Sequence, residues 1–270
     1  MPKPANLKTK IFLDSGNVSE TKETIELLGF LDGQTTNPTL IAKNPEAQQR
    51  LAAGKKFSQE EIYSFYKSVV SELSLLIPEG SISIEVYADE NTSTEEMFTQ
   101  SKEMFSWIPN AHIKYPTIKA GLEAAQTVYA ATLGAKKGDV FVSPFIGRLD
   151  DKGENGMDLI KNITKMYKES DGHVELLAAS VRNMNHFLYS LALGVDIITA
   201  PFSVLKEWAQ KGMPVPGPDF NYPAEELKSI PYQDLDLNKH WTEFDITHPL
   251  TEAGINRFSA DWNALIATQS

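Results

Sequence analysis

Cysteine is missing altogether from the 270 residues, which excludes disulfides, thiolate nucleophiles and thiolate-bound metal or iron–sulfur clusters. Histidine offers little more for a metal. The five histidines, His112, His173, His186, His240 and His248, are scattered without ligand spacing, and no HExxH occurs. Neither GxGxxG nor GxxxxGK[ST] is present, so dinucleotide and P-loop readings lose their main support. No apolar run approaches the ~18 residues of a membrane span. The opening MPKPANLKTK has basic residues with no apolar stretch behind them, so no secretion signal is expected and a cytoplasmic location is. Positive charge is in deficit, with 25 Lys+Arg against 36 Asp+Glu and a formal charge of −11. That balance argues against nonspecific binding to nucleic acid or to an anionic membrane, and any anion must be gripped locally.

What remains is an ordinary globular composition, 41% hydrophobic and 23% charged. The length suits one α/β barrel of about 250 residues. The expectation is a single domain over 1–270, with 203–270 as a C-terminal extension packed on it. Short β-rich runs alternate with longer helical patterns, the mark of βα units and a parallel sheet. Strands are expected at 10–14, 33–37, 81–87, 111–115, 139–145, 173–180 and 195–201. Ser19 precedes a helical run ending at Gly29, and capping boxes stand at Ser58-x-x-Glu61 and Ser93-x-x-Glu96. Behind Ser58, the residues Ile62, Phe65, Val69, Val70, Leu73 and Leu76 recur at helical spacing and predict an apolar face on the sheet. A helix over roughly 203–211, an irregular Pro-rich stretch and a closing helix from about Thr251 to Ile266 complete the series.

Polar residues recur at the C-terminal ends of the strands: Asp14, Asn37, Glu85, Lys114, Ser143 with Arg148, and Ser180 with Arg182. That end of a parallel α/β sheet is where ligands bind. Lys114 is the sharpest signal, because it sits inside a strand between Ile113 and Tyr115. Two readings stand side by side: a Schiff-base nucleophile, or an ion-paired lysine held by Glu85 or on an edge strand. Asp14 and Glu85 are either a proton-transfer pair or strand-end salt bridges. Asn37 either orients a hydroxyl or makes a turn before Pro38. Arg148 and Arg182 each follow a strand ending in Ser and suit a bidentate grip on phosphate, or else form salt bridges. In Leu149-Asp150-Asp151, solvation or pairing with an arginine is the better reading than a divalent-ion site.

Taken together, IFLDSGN, DGQTTNPTL, SISIEVYAD, HIKYPTIKAGLEA, FVSPFIGRLDD, AASVRN and the closing GINRFSADWNALI resemble the transaldolases over nearly the whole chain. The resemblance implies a TIM (β/α)8-type barrel and transfer of a dihydroxyacetone unit between sugar phosphates of the pentose phosphate pathway. It implies that Lys114 forms the Schiff base, that Asp14 acts on the hydroxyl proton during C–C cleavage, and that Glu85 moves protons through a bound water. It further implies that Asn37 and Ser143 hold the dihydroxyacetone moiety and that Arg148, Ser180 and Arg182 bind phosphate. No metal or organic cofactor is implied, because the protonated imine is itself the electron sink.

One departure from the family pattern is large. The family's fifth strand, ending in Asn-x-Thr, has no counterpart here, and GLEAAQ runs directly into TVYAATLGA. The expected strand starts at 111 and 139 leave room for one βα unit, not for two at about 30 residues each. Residues 118–134 read as one continuous helix. The expectation is an incomplete barrel of seven recognisable parallel strands, lacking that Asn and Thr. Its activity is impaired to match, and its edges favour self-association. A catalytically inactive sugar-phosphate binder and a simple fructose 6-phosphate aldolase are the alternative readings.

Overall fold

A computed structural model of the chain describes residues 2–131, 136–169, 172–224 and 226–267. Its elements run β1 (Lys10–Asp14), α1 (Val18–Leu28), β2 (Gly33–Thr35), α2 (Pro38–Ala42), α3 (Pro45–Ala52), α4 (Gln59–Leu76), β3 (Ser81–Glu85), α5 (Thr94–Phe105), β4 (Ala111–Lys114) and α6 (Lys119–Ala131). They continue with β5 (Val140–Val142), α7 (Ile146–Asp150), α8 (Gly156–Tyr167), β6 (Val174–Ala178), α9 (Met184–Leu193), β7 (Ile197–Ala200), α10 (Phe202–Gln210) and α11 (Pro249–Leu265). The class is α/β, with seven parallel strands among the described residues instead of the eight of a complete barrel. Helix α6 follows β4 with no strand between it and β5 among the described residues, as the shortened sequence predicts. Residues 132–134 of that expected helix lie outside the described residues. Among the described residues no helix is long and apolar enough to cross a membrane.

The chain divides into two compact units, with α1 shared between them. One unit holds β1, β7, β6 and β5, paired in that order. Lys10 stands opposite Ile197, Leu177 opposite Ile197 on the other side, and Val142 opposite Leu176. Its core is built from Ile11, Leu13, Leu28, Phe187, Ile198 and Trp208. Ile197–Ala200 is buried at every position, as a central parallel strand covered on both faces should be. Helix α9 ends at Gly194, which adopts φ +69°, a left-handed conformation that glycine enters without a Cβ penalty. Beyond α10 the Pro-rich stretch is irregular but tied down. Trp208 Nε1 donates to the Pro214 carbonyl at 2.9 Å, and Asp158 accepts from the Ser229 hydroxyl and the Ile230 N–H.

The other unit holds β2, β3 and β4, with Gly33 opposite Ser81 and Glu85 opposite Lys114. Both expected capping boxes form, at Ser58 with Glu61 and at Ser93 with Glu96. Helix α4 buries Ile62, Phe65, Tyr66, Val69, Val70 and Leu73, the face that its spacing predicts, while Leu76 is half-buried. Helix α11 closes this unit. Trp262 packs edge-on against Tyr63 and Tyr66, both at 5.9 Å between ring centroids, and Asp261 accepts a hydrogen bond from Thr39.

Two sequence expectations need correction. Helix α1 begins at Val18, and its first turn is capped by Asn17, whose Oδ1 accepts the Ser19 N–H at 3.0 Å. An asparagine amide caps as well as a serine hydroxyl, so the helix starts one residue before the expected Ser19 cap. The strand expected over 33–37 stops at Thr35, because Asn37 turns away to cap α2.

Candidate active site

Two clusters carry the strand-end residues. In the unit built on β2, β3 and β4, Lys114 and Glu85 are direct cross-strand partners, and Lys114 Nζ lies 3.0 Å from Glu85 Oε2. Their side chains are 21% and 10% exposed, enough for solvent to reach the amine but not to hydrate the pair freely. The ion-pair reading of Lys114 therefore describes the resting geometry. That geometry puts a carboxylate within hydrogen-bonding distance of the amine, as a proton-transfer pair requires.

Glu85 is fixed from behind. Its backbone N–H donates to the Tyr66 hydroxyl at 3.1 Å, and that hydroxyl lies 2.6 Å from Thr36 Oγ1. Burial pushes the Tyr66 phenol well above its ordinary pKa, so it stays protonated. Asn37 Oδ1 accepts the Leu40 N–H at 2.9 Å at the start of α2. The turn-forming reading of Asn37 is thus realised, and its Nδ2 donors are what it can offer a ligand. Glu85 lines a small open cleft with Pro38, Val86, Ala88, Pro116, Ile255 and Phe258. Ile255 and Phe258 belong to α11, so the closing helix forms one wall.

The other unit gathers the arginines. Gly147 donates its N–H to the Ser180 carbonyl at 3.0 Å, and Ser180 holds φ +56°, a strained conformation for a residue with a Cβ. A Cβ on Gly147 would lie 2.4 Å from Arg182 Cγ and Nε and 2.6 Å from the Ser180 oxygen, so only glycine permits this approach. Arg148 is half-buried, with its guanidinium 4.6 Å from the Phe145 ring centroid. Arg182 Nη2 donates to Asp151 Oδ2 at 2.9 Å, with both side chains at least half exposed. Such a pair is weak and exchangeable, and a phosphate offers the guanidinium a stronger bidentate partner.

Beneath Arg182, its backbone N–H donates to His186 Nδ1 at 3.2 Å, so the imidazole proton sits on Nε2 and is donated to Asp150 Oδ2 at 2.7 Å. Tyr222, from the Pro-rich stretch, donates to the same carboxylate oxygen at 3.1 Å. Asp14 ends β1 half-buried, and Ser143 follows β5 half-buried, both in this unit. Among the described residues no group of three or more His, Asp and Glu is arranged for a metal ion. Asp150 and Asp151 serve His186, Tyr222 and Arg182 instead.

Residues 11–269 match the family described as transaldolase/fructose-6-phosphate aldolase. The chain belongs to this transaldolase/fructose-6-phosphate aldolase family. Proteins named probable transaldolase are similar along nearly their whole length. The one from Dehalococcoides mccartyi is 34% identical over 271 residues, covering 95% of this chain and 99% of its own. The one from Thermoplasma volcanium is 33% identical over 268 residues, covering 94% and 95%. A thiamine phosphate pyrophosphorylase structure from Pyrococcus furiosus overlaps 77% of this chain and 93% of its own at 14% identity and a TM-score of 0.36, too low to bear on fold or function.

Family membership makes this chain kin to aldolase-type enzymes. Several residues that shape these two clusters carry little local signal in the sequence. Tyr66 reads as one more apolar position on α4, and its only signal is a polar tip on a buried helical face. Gly147 lies unmarked between Ile146 and Arg148. His186 and Tyr222 lie 36 and 72 positions from Asp150, beyond any local motif.

Proposed function

We propose that this member of the family is a transaldolase that moves a dihydroxyacetone unit between sugar phosphates, from sedoheptulose 7-phosphate to glyceraldehyde 3-phosphate, giving erythrose 4-phosphate and fructose 6-phosphate. The pairing of Lys114 with Glu85 on neighbouring strands carries this reading. Lys114, after giving a proton to Glu85, attacks the C2 carbonyl of the ketose. The carbinolamine loses water, and a protonated imine forms. Asp14 takes the proton of the C4 hydroxyl, the C3–C4 bond breaks, and its electron pair moves into the imine to leave a three-carbon enamine and a free aldose phosphate. The enamine then attacks the acceptor aldehyde, and the same steps in reverse release the new ketose from Lys114.

In this reading Asn37 and Ser143 hold the dihydroxyacetone hydroxyls, and Arg148, Ser180 and Arg182 bind the phosphate, with Asp151 displaced from Arg182. No cofactor takes part. The reaction belongs to the cytoplasm and the pentose phosphate pathway. Lacking the fifth-strand Asn and Thr, the chain turns over more slowly than relatives with eight strands. The test is to incubate the protein with fructose 6-phosphate and erythrose 4-phosphate. Sedoheptulose 7-phosphate is the product expected. Free dihydroxyacetone with no ketose product would instead make the protein a fructose 6-phosphate aldolase, and neither product would overturn the reading.

A further inference from the structure

Tyr66 is fully buried, yet it puts a hydroxyl where β2 and β3 part. In the parallel register Thr35 stands opposite Ser83, and the Thr36 N–H still bonds the Ser83 carbonyl at 3.1 Å. If the ladder continued, the next N–H, that of Glu85, would go to the Thr36 carbonyl. It goes to the Tyr66 phenol at 3.1 Å. The Thr36 hydroxyl has one proton and donates it to the Ser83 carbonyl at 2.7 Å, so across the 2.6 Å contact Tyr66 is the donor and Thr36 Oγ1 the acceptor. The hydrogen bonds from Glu85 through Tyr66 and Thr36 to Ser83 all run in one direction, which fixes the phenol rather than letting it choose.

The ring is held as firmly as the hydroxyl. Trp107 meets it at 5.8 Å and 72°, and Trp262 of α11 at 5.9 Å and 61°. The three residues that the hydroxyl ties together adjoin the proposed chemistry: Thr36 precedes Asn37, Ser83 lies on β3, and Glu85 faces Lys114. A phenylalanine would fill the same volume without the hydroxyl, so packing alone does not call for tyrosine here.

We infer that Tyr66 is a positioning residue for imine chemistry: its hydroxyl replaces one rung of the β2–β3 ladder and thereby sets Glu85 against Lys114 and releases Asn37 toward the substrate. The inference rests on the Schiff-base reading above. Tyr66 touches no substrate and acts through Glu85 and Thr36.

The test compares wild type with Tyr66→Phe and, because that variant leaves two buried groups unpaired, with Thr36→Ser, which keeps the acceptor. Each is first shown to be folded by circular dichroism. Hydrogen exchange then reads the Glu85 amide, and borohydride trapping with fructose 6-phosphate reads imine formation on Lys114. For Y66F the expected result is faster exchange at Glu85 and trapping slowed about tenfold or more, with KM close to wild type; T36S, which keeps the hydroxyl that Tyr66 donates to, keeps the slow exchange at Glu85. A Y66F protein that exchanges or traps at the wild-type rate overturns the inference alone. A wild-type protein that forms no adduct overturns the Schiff-base reading, and the inference with it.

Discussion

Lys114 and Glu85 face each other across two neighbouring parallel strands, Nζ 3.0 Å from Oε2. The pair occupies adjoining strand ends beside an open cleft that Glu85 itself lines. Replacing Glu85 by Gln keeps the shape and removes the proton acceptor. With the proton relay lost, kcat should fall about 10²- to 10⁴-fold while KM stays near wild type. Steady-state kinetics on folded E85Q measures both, and an unchanged kcat would restrict Glu85 to a structural ion pair.

Arg182 rests on Asp151, at 2.9 Å, with both groups largely in water. Arg182→Ala should raise KM for a phosphorylated ketose by about tenfold or more, the size of a lost charge-assisted hydrogen bond. Asp151→Asn, which removes a competing anion, should lower it. Unphosphorylated dihydroxyacetone as donor separates the effects, since R182A should handle it as wild type does. Equal losses with both donors would remove Arg182 from phosphate recognition.

Gly147 is the narrowest point of the arginine cluster. In Gly147→Ala the new methyl meets Arg182 and the Ser180 carbonyl at 2.4–2.6 Å, so one of them must move. Overpacking of this kind costs about 1–3 kcal/mol, readable as a lower urea midpoint, and it should come with a higher KM. Wild-type values of both would mean that the loop relaxes freely.

His186 makes stability depend on pH. Burial lowers its pKa, with Arg182 adding to the effect and Asp150 and Asp151 opposing it. In the unfolded chain the imidazole titrates near its ordinary 6.5. Above that pH both states are neutral and the stability is fully present. As pH falls through it, the unfolded chain binds a proton that the folded protein takes up only at lower pH, and stability drops. His186→Gln should therefore lose less stability than wild type between pH 7.5 and pH 5.5 in urea unfolding. Parallel losses in the two proteins would contradict the assignment.

The strands were legible in the sequence because β-rich apolar runs were spaced by long helical patterns, and all seven lie where expected. Their ends were harder to place. The second strand stops at Thr35 because a tyrosine from α4 and the Asn37 cap take over from the ladder; the cap is local, but the tyrosine arrives from 30 residues downstream of Thr36. The arginine pairing expected of Asp150-Asp151 holds for Asp151, which carries Arg182. The role of Asp150 depends on His186 and Tyr222, which reach it only once the chain has folded. The run between Lys114 and Val140 has the length of one ordinary barrel unit, so the missing strand is legible only against the family pattern that the flanking motifs resemble.

The most direct measurement is borohydride reduction of the intact protein in the presence of fructose 6-phosphate, followed by mass spectrometry of the whole chain and its peptides. Lys114→Arg is the control, because it keeps the cation beside Glu85 but cannot form an imine. A stable adduct of one reduced three-carbon unit on Lys114, absent from K114R, is the predicted result. A folded wild-type protein with no adduct, or with one on another lysine, would contradict the Schiff-base mechanism.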